Sequence, residues 1–202
     1  MNSVEPSLHC LTKPMTAITP EIRVLCLGNE LLADDALGLV AAEELRRRFP
    51  HLDVVFTTDS GFHLLDYLSD YTLLVVVDSI QTGQVPGGTV LIFPKANIQA
   101  PPGPSPHYVG LFETLQLGRK LVLPVPEEVI ILAVEAVDCL TLGGEMDPAV
   151  KSAVGLVAEL VGEIVQCTRA ATAEPAVALA DCWHRAFETV SARYAPGRVV
   201  VA

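Results

Sequence analysis

Positive charge and aromatic side chains are scarce in this chain, and their scarcity excludes several kinds of protein. Lysine and arginine number 13 against 24 aspartates and glutamates, which gives a net charge of −11 at pH 7. Such a balance opposes binding to a phosphate backbone, so a nucleic-acid partner is not expected. Aromatic residues make up 5% of the chain, and they are not interleaved with basic residues as in nucleic-acid-binding segments.

Long apolar runs and paired cysteines are also missing. No apolar run reaches the roughly 18 residues that a membrane span needs, and the first twenty residues lack the apolar centre of a signal peptide. The cysteines are dispersed without a CxxC pair, which argues against a disulfide framework or a zinc site. We therefore expect reduced thiols in a cytoplasmic protein. The cysteines are Cys10, Cys26, Cys139, Cys167 and Cys182.

Several common catalytic motifs are absent as well. The chain has no GxSxG elbow and no lysine that follows a glycine-rich phosphate loop. Gly28 is followed by Asn29-Glu30, so the first strand does not lead into a GxGxxG dinucleotide motif. Serine hydrolase, nucleotide hydrolase and dinucleotide-dependent chemistries are therefore poorly supported.

What the chain does contain is an alternation of apolar strand-like runs with helical patterns. Half of its residues are hydrophobic, enough for a full core. The alternation predicts an α/β three-layer sandwich, with helices on both faces of a mostly parallel five-stranded sheet. A short connection after Asp78, rich in glycine, is too short for a helical crossover, so we expect strand four to be antiparallel. The strands are expected at residues 22–27, 54–58, 73–77, 89–93 and 129–134, and helices at 36–48, 62–68, 107–117 and from 148 onward.

Composition divides the chain into three parts. Residues 1–20 are expected to be a flexible leader, residues 21–167 the α/β domain, and residues 168–202 a C-terminal extension with an amphipathic helix. The apolar stripe of that helix needs a partner: its own domain, a second copy of the chain, or a substrate protein. We expect it to pack on its own domain. The stripe consists of Leu179, Trp183, Phe187, Val190 and Tyr194.

Acidic side chains cluster where strands are expected to end. Asp34-Asp35 follow the first strand after a short loop, Asp59 follows the second, and Asp78 follows the third. The carboxyl ends of parallel strands share one edge of a sheet, where functional groups collect. His107 at a helix start adds an imidazole, and two carboxylates with one imidazole suit a borderline divalent metal such as nickel, zinc, iron or manganese.

Most of these acids also have an ordinary explanation. Asp34 or Asp35 can cap the following helix by accepting its first backbone N–H groups. Asp59 before Ser60-Gly61 can be a turn former. Asp78 is harder to explain in this way, because it follows five aliphatic residues and an ionised carboxylate rarely lies unpaired in such a place.

These residues resemble the nickel–iron hydrogenase maturation endopeptidases. The family pattern is a strand, Gly-Asn, a few apolar residues, an acid pair and then Gly-x-Gly. The resemblance covers residues 22–164. It rests on residues 27–38 (LGNELLADDALG), Asp59-Ser60-Gly61, Val76-Val77-Asp78-Ser79, Pro86-Gly87-Gly88-Thr89 and Ser105-Pro106-His107.

The resemblance implies an enzyme that cuts a C-terminal peptide from a hydrogenase large subunit precursor after nickel insertion. It implies that Asp35, Asp78 and His107 contact the metal and carry catalysis. The nickel is supplied by the substrate protein, so no tightly held metal is expected. The resemblance leaves the oligomeric state open, and a monomer is compatible with it. Gly28, Asn29, Asp34 and Asp59 are expected to support the site.

Two departures and two alternatives remain. Ala36 follows the acid pair where the family usually has glycine, and Phe62 follows Asp-Ser-Gly where threonine is common. A peptidyl-tRNA hydrolase-like enzyme also has a strand that ends in Leu-Gly-Asn, but it would need a histidine–asparagine pair and a basic face. A non-catalytic metal-sensing α/β binding module is the other alternative.

Overall fold

A mixed sheet forms the centre of the molecule. The computed structural model describes residues 21–94, 111–173 and 181–202. Six strands lie in the order β2-β1-β3-β5-β4-β6. Strands β4 and β5 are antiparallel, and the other neighbouring strands are parallel. The strands are β1 (Ile22–Leu27), β2 (Asp53–Thr57), β3 (Leu73–Ile80), β4 (Val90–Pro94), β5 (Glu128–Glu135) and β6 (Val199–Val201).

Helices cover both faces of this sheet, which confirms the predicted three-layer architecture. One face packs against α1, α3 and α4, and the other packs against α2 and a 3-10 segment that follows β2. The helices are α1 (Leu37–Arg48), α2 (Leu111–Lys120), α3 (Pro148–Ala173) and α4 (Cys182–Ser191), with 3-10 segments at Asp34–Ala36 and Gly61–Tyr67. None of the helices within the described ranges is long and apolar enough to cross a membrane.

Period-two alternation explains how single strands serve both layers. In β1, Val24 and Cys26 face the α1–α3 side, whereas Leu25 and Leu27 face the α2 side. All of β3 is buried. A central strand buried on both faces has a continuous apolar sequence, which is why β1 and β3 could be recognised.

The sheet differs from the prediction in its last strands. Strand β4 runs antiparallel to β3 as expected, but β5 lies between them. The sheet also has a sixth strand, Val199–Val201, which pairs with β4. Three valines at the end of a chain are too short a run to identify a strand. Strand β3 continues past Asp78 to Ile80, and α3 continues past the expected boundary at Cys167 to Ala173.

The C-terminal helix packs on its own domain, as predicted. Ala186 and Val190 of α4 are buried in the core that α3 and the sheet share. Trp183, Phe187 and Tyr194 pack against the same core and are partly buried. Leu179, the first residue of the predicted stripe, lies outside the described residues. The Tyr194 hydroxyl also donates a hydrogen bond to Glu159 Oε1 of α3 at 2.7 Å.

Two glycines bring the start of α1 against the end of β1. A Cβ on Gly38 would lie 2.0 Å from the Leu27 carbonyl oxygen, and one on Gly28 would lie 2.2 Å from the Asp35 carbonyl oxygen. Real Cβ atoms do not approach backbone so closely. The glycines of the opening motif therefore set the spacing between the first strand and the acid pair.

We expect Gly38→Ala to lower the free energy of unfolding by about 1–3 kcal/mol, because the strand and helix must move apart to admit the methyl group. Urea denaturation followed by circular dichroism measures the change. Gly155→Ala in α3 is the matched control: its Cβ would meet only Arg48 Nη2, at 3.8 Å. There the better helix propensity of alanine should stabilise the protein. Equal effects at the two positions would contradict the close-approach argument.

Candidate active site

Asp34 binds a distant loop through its buried carboxylate. Its Oδ2 accepts hydrogen bonds from the backbone N–H groups of Val137 at 2.7 Å and Asp138 at 2.8 Å. Its Oδ1 accepts one from the N–H of Asp147 at 2.6 Å, just before α3 begins. The residue is completely inaccessible to solvent. These donors compensate for the cost of burying the charge, so Asp34 holds the loop between β5 and α3 in place.

The helix-cap explanation is therefore wrong for Asp34. The residues at the cap positions of the 3-10 segment and of α1 are Ala33 and Ala36, and neither helix start has a side-chain cap. The carboxylate instead accepts from residues more than a hundred positions along the chain. Sequence spacing cannot show this bond, since it depends on how the first and last parts of the domain meet.

Asp35 and Asp78 meet at a single serine. The Ser79 hydroxyl donates to Asp35 Oδ1 at 2.6 Å, and the Ser79 backbone N–H donates to Asp78 Oδ1 at 2.8 Å. Asp35 is 2% exposed and Asp78 is 0% exposed. The two buried carboxylates therefore have one hydrogen-bonding residue, Ser79, in common. The structure thus brings two of the three predicted metal-contacting residues together.

Cys139 adds a thiol beside this pair. Its Sγ lies 3.7 Å from Ser79 Oγ. Either atom can be the donor in this contact. Burial raises the pKa of Cys139 to about 11; the bond to Ser79 lowers it, and the charges of Asp35, Asp34 and Asp78 raise it further. The thiol is therefore protonated at neutral pH and is a poor nucleophile.

The Gly28-Asn29 turn orients the acid pair. The backbone N–H of Asn29 donates to the carbonyl of Asp35 at 3.1 Å. The side-chain Oδ1 of Asn29 accepts a hydrogen bond from the Leu31 N–H at 3.1 Å, and this bond closes a short local turn. Both residues therefore have structural roles beside Asp35.

Asp59 belongs to a separate hydrogen-bond network. Its Oδ2 accepts from the Tyr67 hydroxyl at 2.6 Å and from Thr57 Oγ1 at 3.0 Å. The bond from Tyr67, then that from Thr57, and lastly the charge of His63 hold the pKa of this carboxyl below its usual value, against a smaller opposing effect of desolvation. Strand β1 lies between β2 and β3, so Asp59 follows a strand that is not adjacent to that of Asp78.

His107, the third predicted metal-contacting residue, lies outside the described residues. Within residues 21–94, 111–173 and 181–202, no group of three or more histidine, cysteine, aspartate or glutamate side chains is arranged to hold a metal ion. The arrangement that is described consists of two carboxylates, a serine hydroxyl and a thiol. The catalytic and metal-contacting roles of Asp35, Asp78 and His107 therefore stay predictions.

Sequence reasoning gave no role to three residues of this region: Ser79, Cys139 and Glu135. Glu135 is 1% exposed, and its carboxylate accepts from the Thr82 N–H, the Thr82 hydroxyl and the Gly83 N–H at 2.6–2.8 Å. It binds the loop after β3, as Asp34 binds the loop after β5. The available signal was the position of Glu135 at the end of an apolar strand, the same signal that marked Asp78.

Comparisons with known proteins find similarity to one family. The family model described as hydrogenase maturation protease matches residues 40–164. A hydrogenase expression/formation protein, HupD of Bradyrhizobium diazoefficiens, is 27% identical over 157 residues, which cover 75% of this chain and 81% of that protein.

Solved structures share the fold. The hydrogenase maturating endopeptidase HybD from E. coli superimposes with a TM-score of 0.60 at 25% identity, over 70% of this chain and 89% of that chain. The NiFe hydrogenase maturation protease HybD from Thermococcus kodakarensis gives a TM-score of 0.61 at 24% identity, over 72% and 99%. The second likeness concerns the fold alone.

We expect Asp34→Asn to lower the free energy of unfolding by about 2–4 kcal/mol, because one of its two side-chain ends would present an NH₂ group to a backbone N–H. Urea denaturation at neutral pH measures the loss. Asp66→Asn, at an exposed position, is the control and should change stability by less than about 0.5 kcal/mol. Equal stabilities of the two variants would show that Asp34 does not hold the loop.

We expect Cys139 to react with iodoacetamide at pH 8 about a hundred times more slowly than an unshifted thiol, since its raised pKa leaves little thiolate. The rate should rise about tenfold per pH unit until the pH approaches 11. Peptide mass spectrometry after timed alkylation gives the rate, with urea-unfolded protein as the control. Modification at pH 8 as fast as in the unfolded chain would contradict a raised pKa of the Cys139 thiol.

Proposed function

Because this chain belongs to the hydrogenase maturation protease family, we propose that it removes a C-terminal peptide from the nickel-loaded large subunit precursor of a nickel–iron hydrogenase. Peptide hydrolysis adds water across the scissile amide: the water oxygen joins the carbonyl carbon, and the amine leaves with a proton. Within this proposal the enzyme recognises the nickel ion in the precursor, and cleavage follows only when the ion is present.

The observation that carries the proposal is the pair of buried carboxylates joined by Ser79. Asp35 accepts the serine hydroxyl and Asp78 accepts the serine N–H. Their mutual repulsion favours a cation between or beside them. A nickel ion carried by the substrate would meet hard oxygen donors there.

His107 is the third proposed ligand. It lies within the residues that the family model matches, as does Asp78. An imidazole would add a softer donor to the two carboxylates and complete a set suited to nickel. Three enzyme ligands leave coordination positions for groups of the precursor, so the metal can remain the substrate's own.

The setting of the reaction belongs to the same proposal. We place it in the cytoplasm, because the described cysteines (Cys26, Cys139, Cys167 and Cys182) all carry free thiols, as is usual in that compartment. The precursor is the proposed partner, and a monomer of this chain suffices for the proposed ligand set.

The test is cleavage of a candidate precursor with and without nickel, using chelator-treated enzyme. We expect the nickel-loaded precursor to lose its C-terminal peptide and the nickel-free precursor to stay intact, because the acid pair lacks a cation to bind in the second complex. Intact-mass measurement reads the result directly. Equal cleavage of both forms would contradict recognition through nickel and leave only the peptidase activity.

Asp78→Asn tests the role of the acid pair in the same assay. It should abolish cleavage while stability stays unchanged or rises, since the variant removes one of two repelling charges. Asp66→Asn, at an exposed position, should cleave like the unmodified chain. A loss of several kcal/mol in Asp78→Asn would instead indicate a structural network around Asp78.

A further inference from the structure

Large apolar side chains lie exposed on two loops beside the acid pair. We name these four residues the apolar rim. Scattered exposed leucines are normal on a protein surface, but a contiguous apolar patch beside a site marks an interface. The apolar rim consists of Leu31 (60% exposed), Val137 (51%), Leu140 (83%) and Leu142 (74%).

Backbone hydrogen bonds join the two loops into one surface. Leu32 and Leu142 form an isolated antiparallel bridge. The Ala33 N–H donates to the Thr141 carbonyl at 3.1 Å, and the Gly143 N–H donates to the Leu31 carbonyl at 2.8 Å. The leucines of the two loops are therefore neighbours by backbone pairing, although the loops are far apart in sequence.

Hydrogen bonds to two carboxylates hold the backbone of the second loop. Asp34 accepts the N–H groups of Val137 and Asp138. Asp138 in turn accepts the N–H groups of Leu140 and Thr141 at 2.9 and 3.0 Å through its Oδ1. Four N–H groups of the loop are thus bound by two carboxylates. A preorganised surface loses little conformational entropy on binding, which favours a docking role.

The apolar rim is continuous with the candidate active site. Cys139 lies between Val137 and Leu140 in the same loop, and its thiol contacts Ser79 Oγ at 3.7 Å. Ser79 donates hydrogen bonds to the carboxylates of both Asp35 and Asp78. The apolar rim therefore borders the acid pair, where it is available to a polypeptide bound at the site.

The charged side chains on the two loops that carry the apolar rim have one sign. Residues 24–45 and 121–150 contain no lysine, arginine or histidine. Glu30 and Glu145 are exposed next to the rim residues, and Asp138 lies within it. Because like charges are costly across an interface, the matching surface must be apolar with basic side chains at its border.

We propose that the apolar rim is the docking surface for the precursor, and that it takes an apolar segment, bordered by basic side chains, that flanks the cleavage site. This inference rests on the proposed function. It adds a binding element that is independent of nickel: the apolar rim contributes affinity, and the acid pair detects the cation.

The test compares the kinetics of two double variants on nickel-loaded precursor. Leu140→Ser with Leu142→Ser should raise KM about tenfold or more and leave kcat unchanged, because only uniform binding is lost. The control is Leu121→Ser with Val122→Ser. These side chains are 58% and 89% exposed, but they precede β5 and so lie at the opposite edge of the sheet. The control should match the unmodified chain.

Leu31→Ser provides an independent variant on the other loop. It should also raise KM, without altering the loop that Asp34 holds, and thermal melts of all variants check that they are folded. Unchanged KM in the rim variants, while the unmodified chain still cleaves, would overturn the docking surface alone. A lowered kcat with normal KM would also overturn it. Failure of the unmodified chain to cleave nickel-loaded precursor would overturn the proposed function itself.

Ionic strength tests the basic border of the partner. Raising the salt concentration should raise KM in the unmodified chain, because exposed opposite charges are screened. Glu30→Gln with Glu145→Gln should reduce this salt dependence. A KM that does not change with salt would contradict a basic border on the docked segment.

Discussion

The carboxylate of Asp34 is the interaction on which the rest of the site depends. It joins the turn after β1 to a loop and a helix start that lie 103 to 113 residues further along the chain. A buried carboxylate without donors would be strongly unfavourable, so the fold is stable only when that loop comes into place. The bond therefore couples completion of the fold to assembly of the site. Cys139 lies in the loop that this closure holds, and its thiol contacts Ser79.

Local backbone geometry explains why two adjacent aspartates perform different tasks. Asp34 and Asp35 lie in a 3-10 turn, where successive side chains diverge by about 120°. One carboxylate can then face the loop before α3 while the next faces β3. Gly28 and Gly38 bring this turn close to β1, since neither position leaves room for a Cβ. The motif is thus a way to place one structural and one candidate catalytic acid on a single short turn.

Sequence reasoning identified the central sheet because β1 and β3 are continuous apolar runs, and the bounds of β1 match at Ile22–Leu27. It could not separate candidate catalytic acids from structural ones. Asp34, Asp78 and Glu135 are all buried near strand ends, and only their hydrogen-bond partners distinguish them. Most of the donors to these three carboxylates are backbone N–H groups, which nearly every residue has, so no side-chain pattern marks them. Ser79 was missed for a related reason: its role depends on two carboxylates that meet only in three dimensions.

In the proposed complex, the apolar rim would provide affinity for the precursor, and the acid pair would distinguish its nickel-loaded form from its nickel-free form. Discrimination between two forms of a substrate equals the difference between their binding free energies. Apolar contacts that both forms make contribute to affinity and cancel in that difference. A large apolar surface would therefore bind the nickel-free precursor nearly as tightly as the nickel-loaded one, and the nickel-free precursor would act as a competitive inhibitor. Four exposed side chains would contribute only a small binding free energy to both forms of the substrate. The difference between the two forms would then come from the cation.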